Sequence, residues 1–162
     1  MSLAWQISEK AKRLISLLLE KKLNIAFAES VTGGLMAASL IREEKASEVI
    51  SVSFITYSEI AKKEVLNVKQ ATLEQEGVYS QSTVKEMLLG LKVLAKADVL
   101  VSVSGIAGIK AVKDHQRGET YLGISVKGIS SFYQETFEGT RQEIQEKIVL
   151  FTFNELIELL QK

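Results

Sequence analysis

The sequence predicts an α/β fold: a largely parallel sheet covered by helices on both faces, with a hairpin adding an antiparallel element. Three observations lead there. Short β-rich runs alternate with stretches of helical period. Two of those runs, 24–28 and 99–104, are continuously apolar rather than alternating, as strands buried on both faces are. The last two β-rich runs are separated by a short turn containing Lys127-Gly128.

Taken in order, Ile7, Ala11, Leu14, Ile15 and Leu18 recur at helical spacing, so residues 6–21 form an amphipathic first helix. Residues 24–28 form a buried strand, and Gly34 to Ile41 a helix. Arg42-Glu43-Glu44-Lys45 reads as a solvated turn. Residues 49–57 alternate and are rich in β-branched and aromatic side chains, which makes them a strand. Residues 58–66 are helical, 71–76 make a short helical piece stopped by Gly77, and 81–96 a longer helix capped by Ser80 or Ser82. Strand 99–104 ends in Gly105-Ile106-Ala107-Gly108, and a polar loop runs to about Arg117. Strands 120–126 and 131–137 form the hairpin, and a helix over 140–160 closes the chain.

At 162 residues the chain, 1–162, fits a single domain. Twenty basic residues offset twenty acidic ones, so the surplus of positive charge that neutralises phosphates in a nucleic-acid binder is missing. Cysteine is absent, which excludes disulfides, thiolate catalysis and zinc–thiolate sites within the chain. His115 is the single histidine; it sits among charges and reads as a solvated loop residue. Met1-Ser2-Leu3 is set aside from the reading. No basic-then-apolar leader and no membrane-length apolar run is visible, so a cytoplasmic location without membrane association is expected. Zero net charge is compatible with self-association, including a purely structural role.

In an open α/β sheet, ligands gather at the carboxyl ends of the strands. Three segments fall there: Glu29 to Gly34, Tyr57 to Lys62, and Ser104 to Gly108. None has the spacing of a phosphate loop, a dinucleotide fingerprint or a nucleophile elbow. Ser30 and Thr32 each suit the cap of the following helix, and that is the commoner meaning of such residues. The same free N–H groups also suit an anion or a developing oxyanion, with Ser30 beside them as nucleophile if a base is near. Lys62, one helical turn past Tyr57, would be such a base if desolvated. The residue pattern alone favours Lys62 and Lys63 as surface charges on a short helix. Arg141 opens the last helix, either as a bidentate anion contact or as a surface ion pair with Glu138 or Glu143.

These segments, in this order, resemble the CinA C-terminal domain family, which includes stand-alone nicotinamide-nucleotide amidases. The resemblance covers the chain from about Leu14 onward. It is carried by Ala28-Glu29-Ser30-Val31-Thr32-Gly33-Gly34, where the family reads A-E-S-C-T-G-G, and by Tyr57-Ser58-Glu59-Ile60-Ala61-Lys62 with Leu66-Asn67-Val68. Gly77-Val78-Tyr79-Ser80, Met87, Ser104-Gly105-Ile106-Ala107-Gly108, Gly118 and Phe137-Glu138-Gly139-Thr140-Arg141 continue it.

The resemblance implies a three-layer α/β/α domain with a five-stranded, mixed, mostly parallel sheet. It implies hydrolysis of the carboxamide of nicotinamide mononucleotide to nicotinate mononucleotide and ammonia, with this small nucleotide as the binding partner. Ser30 would be the nucleophile, activated by Lys62 with help from Tyr57. N–H groups of Thr32, Gly33 and Gly34 would hold the oxyanion. Ser104 and Gly105 would shape the nucleotide pocket, and Arg141 would meet the phosphate. The scheme calls for neither metal nor cofactor.

The chain departs from the family pattern at Val31 for Cys, Glu59 for Asn, Ser104 for Thr, Ile109 for Pro, and Gln145 for a second arginine of the last helix. Lys110 to Arg117 replaces the family's Gly-Gly and Lys-Pro stretch. These departures raise the alternative of a paralogue that binds a nucleotide or partner without turning it over.

Overall fold

The computed structural model describes residues 1–109 and 112–162. Lys110 and Ala111, part of the divergent Lys110–Arg117 stretch, lie outside the described residues. The elements run α1 (Leu3–Lys21), β1 (Ile25–Glu29), α2 (Leu35–Ile41), a 3₁₀ turn (Ala46–Glu48), β2 (Ile50–Ile55) and α3 (Glu59–Leu66). They continue with α4 (Gln70–Gln75), α5 (Gln81–Ala95), β3 (Val99–Gly105), β4 (Glu119–Val126), β5 (Ile129–Thr136) and α6 (Arg141–Gln161). The elements expected from the sequence are all present, with ends moved by a few residues. Helix α1 starts earlier than its apolar period suggests because the Ser2 hydroxyl accepts the Trp5 N–H at 3.2 Å and caps it.

The caps follow side-chain chemistry. Ser58 caps α3 through the Ala61 N–H, and Ser80 rather than Ser82 caps α5 through the Thr83 N–H. Thr140 and Glu143 form a reciprocal capping box at the start of α6. Lys127 (φ 48°) and Gly128 (φ 86°) make the tight β4–β5 turn, since paired positive φ angles match the twist of the strands they join.

The sheet order is β2-β1-β3-β4-β5. Strand β1 pairs in parallel with β2 and β3, while β3–β4 and β4–β5 are antiparallel. Alternate side chains of β1 serve two cores. Ile25 and Phe27 join the apolar side chains of α1, α2 and α6 on one face. Ala26 and Ala28 join Leu66, Met87 and Leu91 on the other, where their small size lets the α3–α5 layer close on the sheet. This three-layer arrangement brings the carboxyl ends of β2, β1 and β3 side by side: Glu29 is in register with Ile55 and with Val103. The site is built on that edge.

Candidate active site

Ser30 follows the last residue of β1 and is 5% exposed. Its Oγ lies 2.9 Å from the Nζ of Lys62, which reaches in from α3 and is 0% exposed. The pattern reading of Lys62 as a surface charge is therefore corrected. At the end of β2 the strand loses its ladder, and its free carbonyls draw the amine inward. Thr56 O accepts from Nζ at 2.8 Å and Tyr57 O at 3.3 Å. Desolvation brings the Lys62 pKa down to about 8, and the nearby Glu59 charge opposes the fall.

The turn after Ser30 is held by a residue that the sequence reading gave no role. The buried carboxylate of Glu29 (0% exposed) accepts the Thr32 hydroxyl at 2.6 Å and the N–H groups of Gly34, Met36 and Ala37 at 3.0–3.1 Å. The Glu29 carboxylate, not a Ser30 or Thr32 hydroxyl, thus satisfies the Met36 and Ala37 N–H groups at the start of α2, while the Leu35 N–H goes to Thr32 O. The signal in the sequence was a lone acid closing an otherwise apolar strand. Positive φ at Gly33 (59°) and Gly34 (96°) bends the chain around that carboxylate.

This arrangement revises the expected oxyanion donors. The Gly33 N–H donates to Ser30 O at 3.0 Å and the Gly34 N–H to Glu29, so both are taken. Among the described residues, the N–H groups of Val31 and Thr32 have no acceptor. The Val31 carbonyl is fixed from across the molecule by Gln145 Nε2 of α6, at 2.8 Å.

A cavity of about 240 Å³ opens beside Ser30, lined further by Tyr57, Tyr79, Gly105, Val112 and Arg141. Tyr57 is 63% exposed and meets Lys62 through its main-chain carbonyl; no hydrogen bond joins its hydroxyl to Ser30 or Lys62. The Tyr57 hydroxyl is thus not placed to assist Ser30 or Lys62 as expected; its carbonyl meets the amine and its side chain lines the cavity. Burial raises the Tyr79 hydroxyl pKa, with the Tyr57 and Glu59 charges adding to the shift. Ser104 is fully buried and stands behind the cavity, donating to Val78 O at 2.9 Å. It shapes the wall only through Val78. Gly105 lies against β4, where a Cβ would come within 2.8 Å of the Glu119 carbonyl. Arg141 comes close enough to Gly108 that a Cβ there would lie 3.3 Å from its guanidinium. The alternative ion pairs of Arg141 with Glu138 or Glu143 are not formed; Glu143 instead accepts the Thr140 N–H. A larger groove, about 690 Å³ between α3, α4 and α5, touches none of these groups.

His115 is half-buried rather than solvated. Its ring packs edge-on against Tyr79, with centroids 5.6 Å apart, and its Nδ1 lies 3.2 Å from Glu119 Oε1. Glu119 also accepts the Gln116 N–H at 3.1 Å and the Tyr121 hydroxyl, which in turn accepts from Gln134. Burial pushes the Glu119 carboxyl up, but the bonds from Tyr121 and Gln116 and the neighbouring His115 imidazole outweigh it and leave the pKa below its ordinary value. The Tyr121 hydroxyl is pushed up to about 12 by burial and by its bond to Glu119. Among the described residues, no three His, Asp or Glu side chains converge as a metal site. Nor is any described helix long and apolar enough to cross a membrane.

The fold has close counterparts. The crystal structure of a competence or damage-inducible protein from Enterobacter asburiae superposes with a TM-score of 0.91 at 32% identity, over 95% of this chain and 98% of that one. One from Agrobacterium tumefaciens gives 0.92 at 30% identity, over 97% and 96%. A CinA-like protein of Petrotoga mobilis is 35% identical over 150 residues, 92% of this chain but 37% of that protein. The chain therefore spans little more than a third of that relative, whereas it covers 89% of a 37% identical Mycoplasma pneumoniae protein. The sequence profile of the CinA C-terminal domain matches residues 7–160, and the chain belongs to that family.

Proposed function

We propose that this chain is an amidohydrolase that cleaves the carboxamide of nicotinamide mononucleotide, releasing ammonia and nicotinate mononucleotide. The observation that carries the reading is the buried Lys62 amine 2.9 Å from the Ser30 hydroxyl. A neutral amine has two N–H bonds and one lone pair. The carbonyls of Thr56 and Tyr57 absorb the N–H bonds, which leaves the lone pair for the Ser30 proton. With its pKa at about 8, Lys62 holds a usable neutral fraction near neutral pH.

Lys62 takes the proton as Ser30 Oγ bonds to the amide carbon, and the carbonyl oxygen becomes an oxyanion. The N–H groups of Val31 and Thr32 are the available donors to it. As the C–N bond breaks, Lys62 returns its proton to the leaving nitrogen and ammonia departs. Water, deprotonated by Lys62, then attacks the acyl ester; as the bond to Ser30 Oγ breaks, Lys62 returns that proton to Oγ and the carboxylic acid departs. Tyr57 and Tyr79 supply aromatic walls for a flat ring, and Arg141 is the cation for the phosphate.

Ammonia release from the nucleotide by wild type and by Ser30→Ala tests the reading. Turnover by wild type, reduced about 10⁴-fold or more in Ser30→Ala, is expected. Tight nucleotide binding by a wild type that releases no ammonia would replace hydrolysis with binding alone.

A further inference from the structure

We propose that Gln145 is a positioning residue that aims the Thr32 N–H at the reacting centre. The proposal rests on reading Ser30 as an amide-cleaving nucleophile, and it concerns a residue that takes no proton and touches no substrate atom in that scheme.

The argument runs through peptide planarity. A trans peptide is flat, with its C=O and N–H pointing in opposite directions, so fixing one group aims the other. The turn after Ser30 contains two peptides whose N–H groups have no acceptor among the described residues: Ser30–Val31 and Val31–Thr32. The first is set locally, because Ser30 O accepts the Gly33 N–H at 3.0 Å. The second has no local restraint on its carbonyl. Val31 O is held by Gln145 Nε2 at 2.8 Å, from a residue 114 positions away in sequence. Within the turn set by the Gly33-to-Ser30 and Leu35-to-Thr32 bonds, Gln145 is the side chain that fixes the tilt of this peptide and so the aim of the Thr32 N–H. Glu29 does not touch this peptide: it fixes the Thr32 hydroxyl and the N–H groups of Gly34, Met36 and Ala37, on one side of it.

The placement on α6 makes the restraint stiff. Gln145 is flanked along the helix by Ile144 and Ile148, both fully buried in the α1–α2–α6 core. Arg141 stands one turn earlier, which puts the two side chains on neighbouring positions of one helix face. Arg141 lines the cavity, and Gln145 grips the nucleophile turn. The same helix thus sets both the anion contact and the oxyanion donor, so a bound nucleotide and the aimed N–H share one rigid support.

An N–H aimed at the oxyanion acts mainly in the transition state, so loss of aim should lower kcat and leave KM nearly unchanged. The test compares Gln145→Met, which keeps the length without a donor, Gln145→Glu, which sets an acceptor against the Val31 carbonyl, and Gln145→Arg, which restores a donor. Two measurements are made on each folded variant: steady-state amide hydrolysis, and the rate at which a fluorophosphonate probe labels Ser30. The probe's P=O occupies the oxyanion position and needs no knowledge of the true substrate. We expect kcat and labelling rate to fall about tenfold in the Met and Glu variants, with KM within about twofold, and Gln145→Arg to recover most of the loss. Equal labelling rates in all four proteins, or a Gln145→Arg as slow as Gln145→Met, would overturn the positioning role while leaving Ser30 as nucleophile. No labelling of Ser30 in wild type, together with no amide hydrolysis, would instead remove the reading on which the proposal stands.

Discussion

The two sides of the cleft are built on opposite principles. On the β1–β2 side, Ser30, Lys62 and Glu29 are buried, and every polar contact there ends on backbone or on another buried group. On the β3–β4 side, the loop is tied down by a side-chain chain from His115 through Glu119 and Tyr121 to Gln134, with Tyr79 packed against the imidazole. The first side uses carbonyls and N–H groups that the ends of parallel strands and a helix leave unpaired, so its geometry follows from the topology. The second depends on particular side chains meeting, and this chain's sequence has diverged most there. A fold can hold its chemistry constant on the backbone-defined side while the side-chain-defined side adapts to another ligand.

That contrast is open to measurement. The largest effect should come from Lys62→Met, which removes the proposed base and leaves the carbonyls of Thr56 and Tyr57 without their donor. Activity should drop about 10³-fold or more, seen in single-turnover ammonia release. An active Lys62→Met would place the base elsewhere.

Glu29→Gln should be the costliest isosteric change to stability. Its amide nitrogen must face an N–H or the Thr32 hydroxyl in place of an acceptor. A loss of about 2–3 kcal/mol in chemical denaturation, with a parallel loss of activity, is expected. A neutral outcome would mean that the turn holds itself.

The pH dependence separates the sides further. Activity should rise with pH and level off above about 8 as Lys62 loses its proton. Because Glu59 raises that pKa, Glu59→Gln should move the rising limb to lower pH. The stability sign follows from the same shift. Folded Lys62, near 8, binds fewer protons than the unfolded group at 10.5, so its burial cost is fully present below about 8 and fades as pH rises toward 10.5.

The smallest effects belong to the loop side. Glu119→Gln should cost about 1 kcal/mol by thermal melt and leave the rising limb of the pH–rate profile in place. His115→Ala should raise KM severalfold, about 3–5-fold, with kcat little changed, because it loosens Tyr79 and spares Ser30 and Lys62. A shifted pH limb in either variant would couple two regions that the contrast separates.

The sequence was informative where local rules govern. The order of strands and helices, a serine cap at the start of α5 and the Lys127-Gly128 turn follow from period, capping and turn chemistry. Ser30 and Lys62 were legible as a pair through the family resemblance, although residue pattern alone favoured a cap and a surface charge. Several features were not legible. Tyr57 contributes its carbonyl, which no side-chain reading reveals. His115 is half-buried because Tyr79, far back in the chain, packs against it.

By itself, then, the sequence determined the elements, their α/β order and the three strand ends that border the candidate site, because propensity and hydrophobic period act within a few residues. Only the tertiary structure decided that Lys62 is dry and bonded to Ser30, that Glu29 rather than a hydroxyl satisfies α2, and that Gln145 of the last helix grips the Val31 carbonyl. Each of those depends on desolvation or on a partner brought close by packing, and neither is a property of any short stretch of chain.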